Sequence, residues 1–230
     1  MAAVAEDNRI RDRLTSSLQA LELQADATQV EALISYVGLL SRWNRAYNLT
    51  AVREPLEMVS RHILDSLAVM PLLPAGAQRI ADIGTGGGLP GVPLAILNPE
   101  RQFDLVDGNG KKARFLFQVK TELGLANMAS HHSRVEAWQP AQPCDVVLSR
   151  AFASLADMVD CCAHLVSGEG VMLAMKGQYP AQELEQLPGG VVVTAVHRLE
   201  VPGLSEQRHV VEIRPGDPSR QKNETDEIIG

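Results

Sequence analysis

Five glycines, Gly84, Gly86, Gly87, Gly88 and Gly91, fall within eight positions, after the apolar run Arg79–Ile83 and before the apolar segment Val92–Leu97. Each glycine adds backbone entropy that folding must overcome, so a ligand-free tight turn is a poor explanation for such density. A glycine-rich turn from strand to helix belongs to open α/β folds, whose ligands sit beyond the carboxyl ends of the strands. The rest of the chain agrees. Further strands are expected at Phe103–Asp107, Met128–His132, Asp145–Ser149, Gly170–Lys176, Val191–Leu199 and Gln207–Ile213, with helices at Val92–Leu97, Lys111–Leu123, Leu155–Leu165 and Ala181–Leu187. Strands separated by helix-length segments imply right-handed βαβ units and a mainly parallel, doubly wound sheet of seven strands. The last two strands lack a helix between them and suit an antiparallel pair around Pro202–Gly203.

The first third reads as helical. Thr28 and Glu31 have capping-box spacing, followed by Val30, Leu33, Ile34, Val37 and Leu40 at helical period. Pro55 opens a second amphipathic segment, with Met58, Val59, Ile63, Leu67 and Met70 on one side, and Pro71 and Pro74 close it. The expected organisation is a helical extension over residues 1–75, a Rossmann-like domain over 76–215 and a polar tail over 216–230. A chain of 230 residues with 45% hydrophobic and 21% charged residues suits one soluble domain with such an appendage. No apolar run reaches bilayer length and Met1–Arg13 lacks the apolar core of a secretory signal, so the cytoplasm is the expected compartment and no membrane partner is expected. Cys144, Cys161 and Cys162 show neither a disulfide framework nor zinc-ribbon spacing, and no metal is expected.

The loop Asp82-Ile83-Gly84-Thr85-Gly86-Gly87-Gly88-Leu89-Pro90-Gly91 has two registers. Gly86, Gly88 and Gly91 satisfy the dinucleotide fingerprint, with Asp107 downstream for a ribose. Gly84, Gly86 and Gly88, with Asp82 two residues upstream, resemble instead the first motif of class I methyltransferases. A dinucleotide sets its pyrophosphate against backbone N–H groups at the first helical turn. Pro90 and Pro93 remove two such donors, and the Asp82 carboxylate would repel phosphate. S-adenosylmethionine has no phosphate, and its ammonium suits a carboxylate such as Asp82, met directly or through water. The methyltransferase register is preferred, with Asp82, Gly84, Gly86 and Gly88 in the cofactor site and Asp107 on the ribose hydroxyls.

The fourth strand ends in Ser149-Arg150-Ala151-Phe152-Ala153. It lacks the Asn/Asp-Pro-Pro-aromatic motif common in enzymes that methylate exocyclic amines. Methylation of pyrimidine carbon needs a cysteine nucleophile, but Cys144 begins this strand, at its far end, and reads as core. An acceptor that needs no activation remains. Guanine N7 has an exposed lone pair and no proton to lose, so alignment supplies most of the catalysis and no general base is required.

The chain resembles the bacterial small-subunit ribosomal RNA methyltransferase G family, also called glucose-inhibited division protein B. The resemblance rests on Trp43-Asn44, Tyr47-Asn48-Leu49-Thr50, Arg61-His62, Asp65-Ser66-Leu67 and the glycine loop. It continues through Ser133-Arg134-Val135-Glu136, Ser149-Arg150-Ala151-Phe152-Ala153, Met175-Lys176-Gly177 and Arg208-His209-Val210-Val211, covering most of residues 28–214. It implies methylation by S-adenosylmethionine of N7 of one guanine, rRNA position 527, in 16S ribosomal RNA or the 30S particle. It also implies cofactor contacts at Gly84, Leu89, Val135, Glu136 and Arg150. Asp107-Gly108-Asn109 departs from the family, which more often has serine after the acid. Arg61, His62, Lys176, Arg208 and His209 are candidates for an RNA-facing patch on an otherwise acidic chain of net charge −7. Arg150 has a positioning role on this reading, and an ion-pair role on the alternative one. Trp43 reads as helix packing, and Lys111, Lys112 and Arg114 as a solvated helix face. The competing activities are methylation of a small molecule or protein, which the net acidity suits, dinucleotide-dependent oxidoreduction, and RNA binding without catalysis.

Overall fold

The central sheet of the computed structural model, which describes residues 2–150 and 152–216 (residues 2–4 by backbone alone), is built on β1 (Arg79–Ile83), the strand that feeds the glycine loop. β2 (Gln102–Asp107), β3 (Met128–His132), β4 (Cys144–Ser149), β5 (Val166–Lys176), β6 (Val191–Leu199) and β7 (Arg208–Pro215) complete it. The order is β3-β2-β1-β4-β5-β7-β6. β1 to β5 pair in parallel, whereas β7 runs antiparallel to β5 and to β6. The chain winds outward from β1 to β3 and then returns to start β4 on the other side of β1. That reversal opens a crevice at the carboxyl ends of β1 and β4, where open α/β sheets bind ligands.

Alternate residues along the strands serve two separate cores. Ile80, Leu105, Leu148 and Leu173 pack on one face with the N-terminal helices, and Ala81, Ile83, Val106, Val147 and Met172 pack on the other. The first face is covered by α1 (Ala2–Ala20), α2 (Ala27–Tyr47), α5 (Gly91–Leu97) and α6 (Gly110–Leu123), once the segment from 55 to 72 is added. The second face is covered by α7 (Leu155–Cys162) and its 3₁₀ continuation Ala163–Leu165, near α8 (Ala181–Glu185). Cys144 and Cys162 are buried here, and burial pushes both thiols up to about 12. Trp43 packs between Tyr47 and Phe115, with ring centroids 5.1 and 5.4 Å away.

Three local expectations change. The capping box of α2 is Asp26 with Gln29, not Thr28 with Glu31: Gln29 N–H donates to Asp26 at 2.8 Å and Asp26 N–H to the Gln29 side chain at 3.0 Å. Glu31 is drawn instead to Arg11 of α1. The helix opened by Pro55 is not uniform. It runs as α3 (Pro55–Met58), a π-helical turn Val59–Leu64 and α4 (Asp65–Leu67), and Pro71 lies inside the 3₁₀ turn Met70–Leu72. Single π-helical turns recur at functional sites, and this one carries Arg61 and His62. At the other end of α2, the Asn44 side chain accepts from Thr50 N–H and donates to the Val52 carbonyl, which folds residues 49–52 back towards that turn. The polar stretch Asp217–Glu227 lies outside the described residues. No helix among the described residues is long and apolar enough to cross a membrane.

Candidate functional site

The loop after β1 needs its glycines. Gly84, Gly86 and Gly88 have φ of +68°, +62° and +90°, the left-handed region that side chains resist. A Cβ on Gly88 would also stand 2.4 Å from Val92 Cγ2 and 2.9 Å from Leu116 Cδ2. Asp82 is fully buried beneath the loop and organises it: Oδ2 accepts from Thr85 Oγ1 at 2.6 Å and from Gly91 N–H at 2.7 Å. Burial raises its pKa to about 6, against the hydrogen bonds from Thr85 and Gly91 and the charge of Arg150. Asp82 Oδ1 has no hydrogen-bond partner and keeps its accepting capacity. From above, the buried Tyr36 of α2 donates to the Gly87 carbonyl, so the N-terminal helices clasp the loop directly.

The loop's donors decide between the two ligand classes. N–H groups of Gly84 and Thr85 go to the Val106 carbonyl, those of Gly88 and Leu89 to Thr85, and that of Val92 to Gly88. Gly86 donates to Asp107 and Gly91 to Asp82, while Pro90 and Pro93 have no N–H. A pyrophosphate would find these donors already committed. A ligand that brings its own donors, such as ribose hydroxyls, meets the Asp107 carboxylate, with the Asp82 carboxylate beneath the loop.

Beyond the loop lies a cleft of about 190 Å³ lined by Gly84, Asp107, Gly108, Val135, Glu136 and Phe152 among others. Asp107 closes β2 and is buried. Oδ2 accepts from Gly86 N–H at 2.9 Å and Oδ1 from Asn109 N–H at 2.8 Å. Lys112 reaches back from α6 to within 3.4 Å of Oδ2, so it is not merely part of a solvated helix face. Val135 and Glu136 form the 3₁₀ turn Val135–Ala137 after β3, with Glu136 exposed. Asp82, Gly86, Gly88 and Leu89 do not line this cleft. Asp82 and Gly88 shape the loop from below, and Leu89 is buried in the core because the loop must pack on α2 and α6.

A second cavity, about 390 Å³, opens between the N-terminal helices and the carboxyl end of the sheet. The π-helical turn and its end contribute Arg61, His62 and Asp65, the end of β4 Arg150, the end of β5 Lys176, and the start of β7 Arg208 and His209. Antiparallel pairing sets Lys176 opposite His209, so the amino end of β7 joins the carboxyl end of β5. The segment after β4 serves both spaces: Arg150 lines the second cavity and Phe152 the first. Arg150 therefore stands apart from the cleft residues with which it was grouped, drawn by Asp65. Its Nη1 lies 3.0 Å from Asp65 Oδ2, and Arg208 Nε lies 2.7 Å from Oδ1. Arg61 pairs with Glu206 at 2.7 Å and Lys176 with Glu183 at 2.8 Å.

His62, a candidate for the RNA-facing patch, lines this cavity without a charge of its own. Its ring is buried, Nδ1–H donates to the Arg61 carbonyl and Nε2 accepts from the Thr50 hydroxyl at 2.7 Å. Burial, then the charge of Arg150, lowers its pKa to about 4, so it is neutral at physiological pH. His209 is buried as well, with Tyr179 edge-on at 5.8 Å and Nδ1 without a partner. Both rings wall the cavity rather than face solvent. Sequence reasoning missed Asp65 as a site residue, although it sits one helical turn after Arg61 in the quoted motif. A larger groove of about 810 Å³ lies among α1, α2 and α3 and contains none of the expected site residues.

Comparison with known proteins agrees with this geometry. The family model described as rRNA small subunit methyltransferase G matches residues 29–211. The ribosomal RNA small subunit methyltransferase G of Ectopseudomonas mendocina is 51% identical over 206 residues, covering 90% of this chain and 96% of its own length. That of Pseudomonas aeruginosa is 50% identical over 214 residues, covering 93% and 99%. Among solved structures, TrmN from Thermus thermophilus aligns with TM-score 0.55 at 18% identity, over 72% of this chain and 55% of its own. The tRNA methyltransferase TrmK from B. subtilis aligns with TM-score 0.52 at 15% identity, over 67% and 65%. At such identities the structures speak for the fold alone, a Rossmann-like, mainly parallel sheet with helices on both faces. The sequence relatives and the family model go further, and the chain belongs to the rRNA small subunit methyltransferase G family.

Proposed function

We propose that this protein transfers the methyl group of S-adenosylmethionine to N7 of one guanine of 16S ribosomal RNA, position 527, in the cytoplasm, with the rRNA or the 30S particle as partner. The observation that carries the reading is the pair of spaces flanking the end of β4: a cleft ending in the acid Asp107 and a cavity walled by arginines. Asp107 would hold the ribose hydroxyls, Val135 and Glu136 the adenine, and Gly84 the chain between them. Asp82, buried beneath the loop with Oδ1 unpaired, would favour the ammonium through its negative charge. When bound, S-adenosylmethionine supplies an electrophilic methyl group on a positively charged sulfur.

The protein's own groups match an acceptor that gives up no proton. In the second cavity both nitrogens of His62 are engaged and Asp65 is tied to two guanidinium groups. Cys144 is a buried thiol at the opposite end of β4. No described residue there is arranged as a base with a free lone pair and a protonation partner, except the unpaired Nδ1 of the buried His209. Catalysis then comes from alignment and exclusion of water. Arg150 is a positioning residue for the acceptor, and Arg61, Lys176 and Arg208 would meet RNA phosphate, Arg61 and Lys176 by exchanging their pairs with Glu206 and Glu183 for it.

The test is methyl transfer from labelled S-adenosylmethionine to 30S particles and to naked 16S RNA from cells lacking this protein, with mapping of the modified base. Transfer to small metabolites or proteins and not to rRNA would overturn the proposal. Single-turnover rates across pH should show no limb from a titrating catalytic base, and such a limb in the chemical step would exclude the N7 mechanism.

A further inference from the structure

The ion pairs of the second cavity are of two kinds. Glu206 and Glu183 are partly exposed and each neutralises one cation, Arg61 and Lys176 respectively. Asp65 has a side chain only 3% exposed and serves two arginines at once, one oxygen to each. Its partners are 85 and 143 residues away in the chain, on the ends of two different strands. Burying a carboxylate costs desolvation that pairing seldom repays with net stability, so such a cluster is poor support for a purely structural role. The three charges sum to one positive: two guanidinium groups less one carboxylate.

That sum matters for the reaction proposed above, on which this inference rests. As the N7–carbon bond forms, the methyl carbon–sulfur bond breaks and its electron pair stays on sulfur. No proton moves, and one unit of positive charge passes from the sulfonium to the purine ring. Guanidinium groups are well suited to donate to the acceptor oxygen at O6 and to nearby phosphate. Two uncompensated guanidinium charges would nevertheless oppose the arrival of positive charge on the base. A buried acid that fixes both groups and offsets one charge resolves the conflict.

We propose that Asp65 is a positioning residue for the acceptor base: it locks Arg150 and Arg208 at the mouth of the second cavity and offsets one of their charges, so that the methylated, cationic base is tolerated there. Asp65 acts through the two arginines and does not take a proton.

The experiment compares the full-length wild type with Asp65→Asn and Asp65→Glu on 30S particles from cells lacking the protein. Single-turnover rates are measured at saturating particle and cofactor, and cofactor affinity by calorimetry. Affinity for unmethylated and for already methylated particles is measured in the presence of S-adenosylhomocysteine. Asp65→Asn should lower the saturated rate by roughly 10- to 100-fold, the scale for a misplaced positioning contact. Cofactor affinity should stay within about twofold, a change near the limit of what such measurements resolve. Preference for unmethylated over methylated particles should increase by at least about fivefold, because the cationic product loses its counter-charge. That preference is a readout a merely structural role would not move. Asp65→Glu retains the charge and shifts the carboxylate by one methylene. It should lose rate while keeping the wild-type preference, and it carries the test if the asparagine variant fails to fold. Wild-type rates in a folded Asp65→Asn or Asp65→Glu variant would overturn the assignment, as would an unchanged preference in Asp65→Asn. A wild type that methylates no 16S RNA would instead overturn the proposed function and the inference with it, so the two failures are told apart by the control.

Discussion

Replacing Asp107 tests the cofactor cleft with one side chain. The carboxylate accepts from Gly86 N–H at 2.9 Å and Asn109 N–H at 2.8 Å, with Lys112 at 3.4 Å. An ionised carboxylate has about four acceptor sites, so these leave capacity for ribose hydroxyls. Asp107→Ala removes the acceptor and strands two backbone donors, while Asp107→Asn keeps the volume but sets an amide N–H against one of them. Leaving a buried polar partner unsatisfied costs about 1–3 kcal/mol. The dissociation constant for S-adenosylmethionine should therefore rise roughly 5- to 150-fold. Calorimetry with S-adenosylmethionine and with S-adenosylhomocysteine separates the causes. The ribose is common to both, so both affinities should fall by a similar factor; a loss confined to the sulfonium ligand would mean that Asp107 acts through its charge and not through the ribose. Unchanged affinity for both ligands in a folded variant would remove Asp107 from the site.

Three further outcomes follow from the same geometry. If two to four of Arg61, Arg150, Lys176 and Arg208 meet RNA phosphates, the substrate KM should rise roughly 7- to 50-fold between about 50 and 200 mM salt, at a slope of about 0.7 per phosphate, with cofactor affinity nearly constant; a flat KM refutes the patch. Gly88→Ala combines a left-handed backbone with a 2.4 Å contact and should cost about 2–5 kcal/mol in urea denaturation, whereas Gly38→Ala, in mid-helix with nothing within 4 Å of its Cβ, should stabilise by about 0.5–1 kcal/mol; equal stabilities would refute the packing argument. Asp82 has its pKa raised from 3.8 to about 6, so the native state holds its proton after the unfolded chain has lost it. The resulting penalty is absent below about pH 4 and complete above about pH 6, so the stability of Asp82→Asn relative to wild type should grow by on the order of 3 kcal/mol from pH 4 to 7, and a pH-independent difference would show that Asp82 titrates normally.

Most of the sheet was legible in the sequence because alternation along a strand and the 3.6-residue period of a helix are local signals. β1, β3 and β6 begin and end where the pattern places them, and the antiparallel closing pair is already implied by the missing helix before Arg208. The cap of α2 was harder. Thr28 with Glu31 and Asp26 with Gln29 share the same spacing; Asp26 takes the cap, as the better N-cap residue, and Glu31 is left to pair with Arg11 of another helix. The site was legible where a motif carries its own backbone requirement, as at Gly84, Gly86 and Gly88, and opaque where burial decides the chemistry. His62 reads as an exposed patch residue beside Arg61, yet Thr50 and the carbonyl of Arg61 hold it as a buried, neutral ring. Asp65 reads as one acid in a helix, because nothing within several residues announces two arginines that arrive from β4 and β7.

The reversed direction of β7 explains why two of the candidate RNA-facing residues reach this face. In a wholly parallel sheet only carboxyl ends meet the crevice, and the amino end of each strand lies on the far side. Because β7 is antiparallel, its first residues, Arg208 and His209, stand beside Lys176 at the end of β5. The turn at Gly203, with φ of +81°, makes this reversal from β6 within a short loop. The N-terminal helices then close the space from the other side, bringing Arg61 and Asp65 to the arginines and Tyr36 to the Gly87 carbonyl. One body of packed helices thus touches both the loop that would hold the cofactor and the cavity that would hold the base. Leu33, Val37, Leu40 and Ile63 belong to the one buried core that underlies both, and close packing of that kind fixes the helices against the sheet.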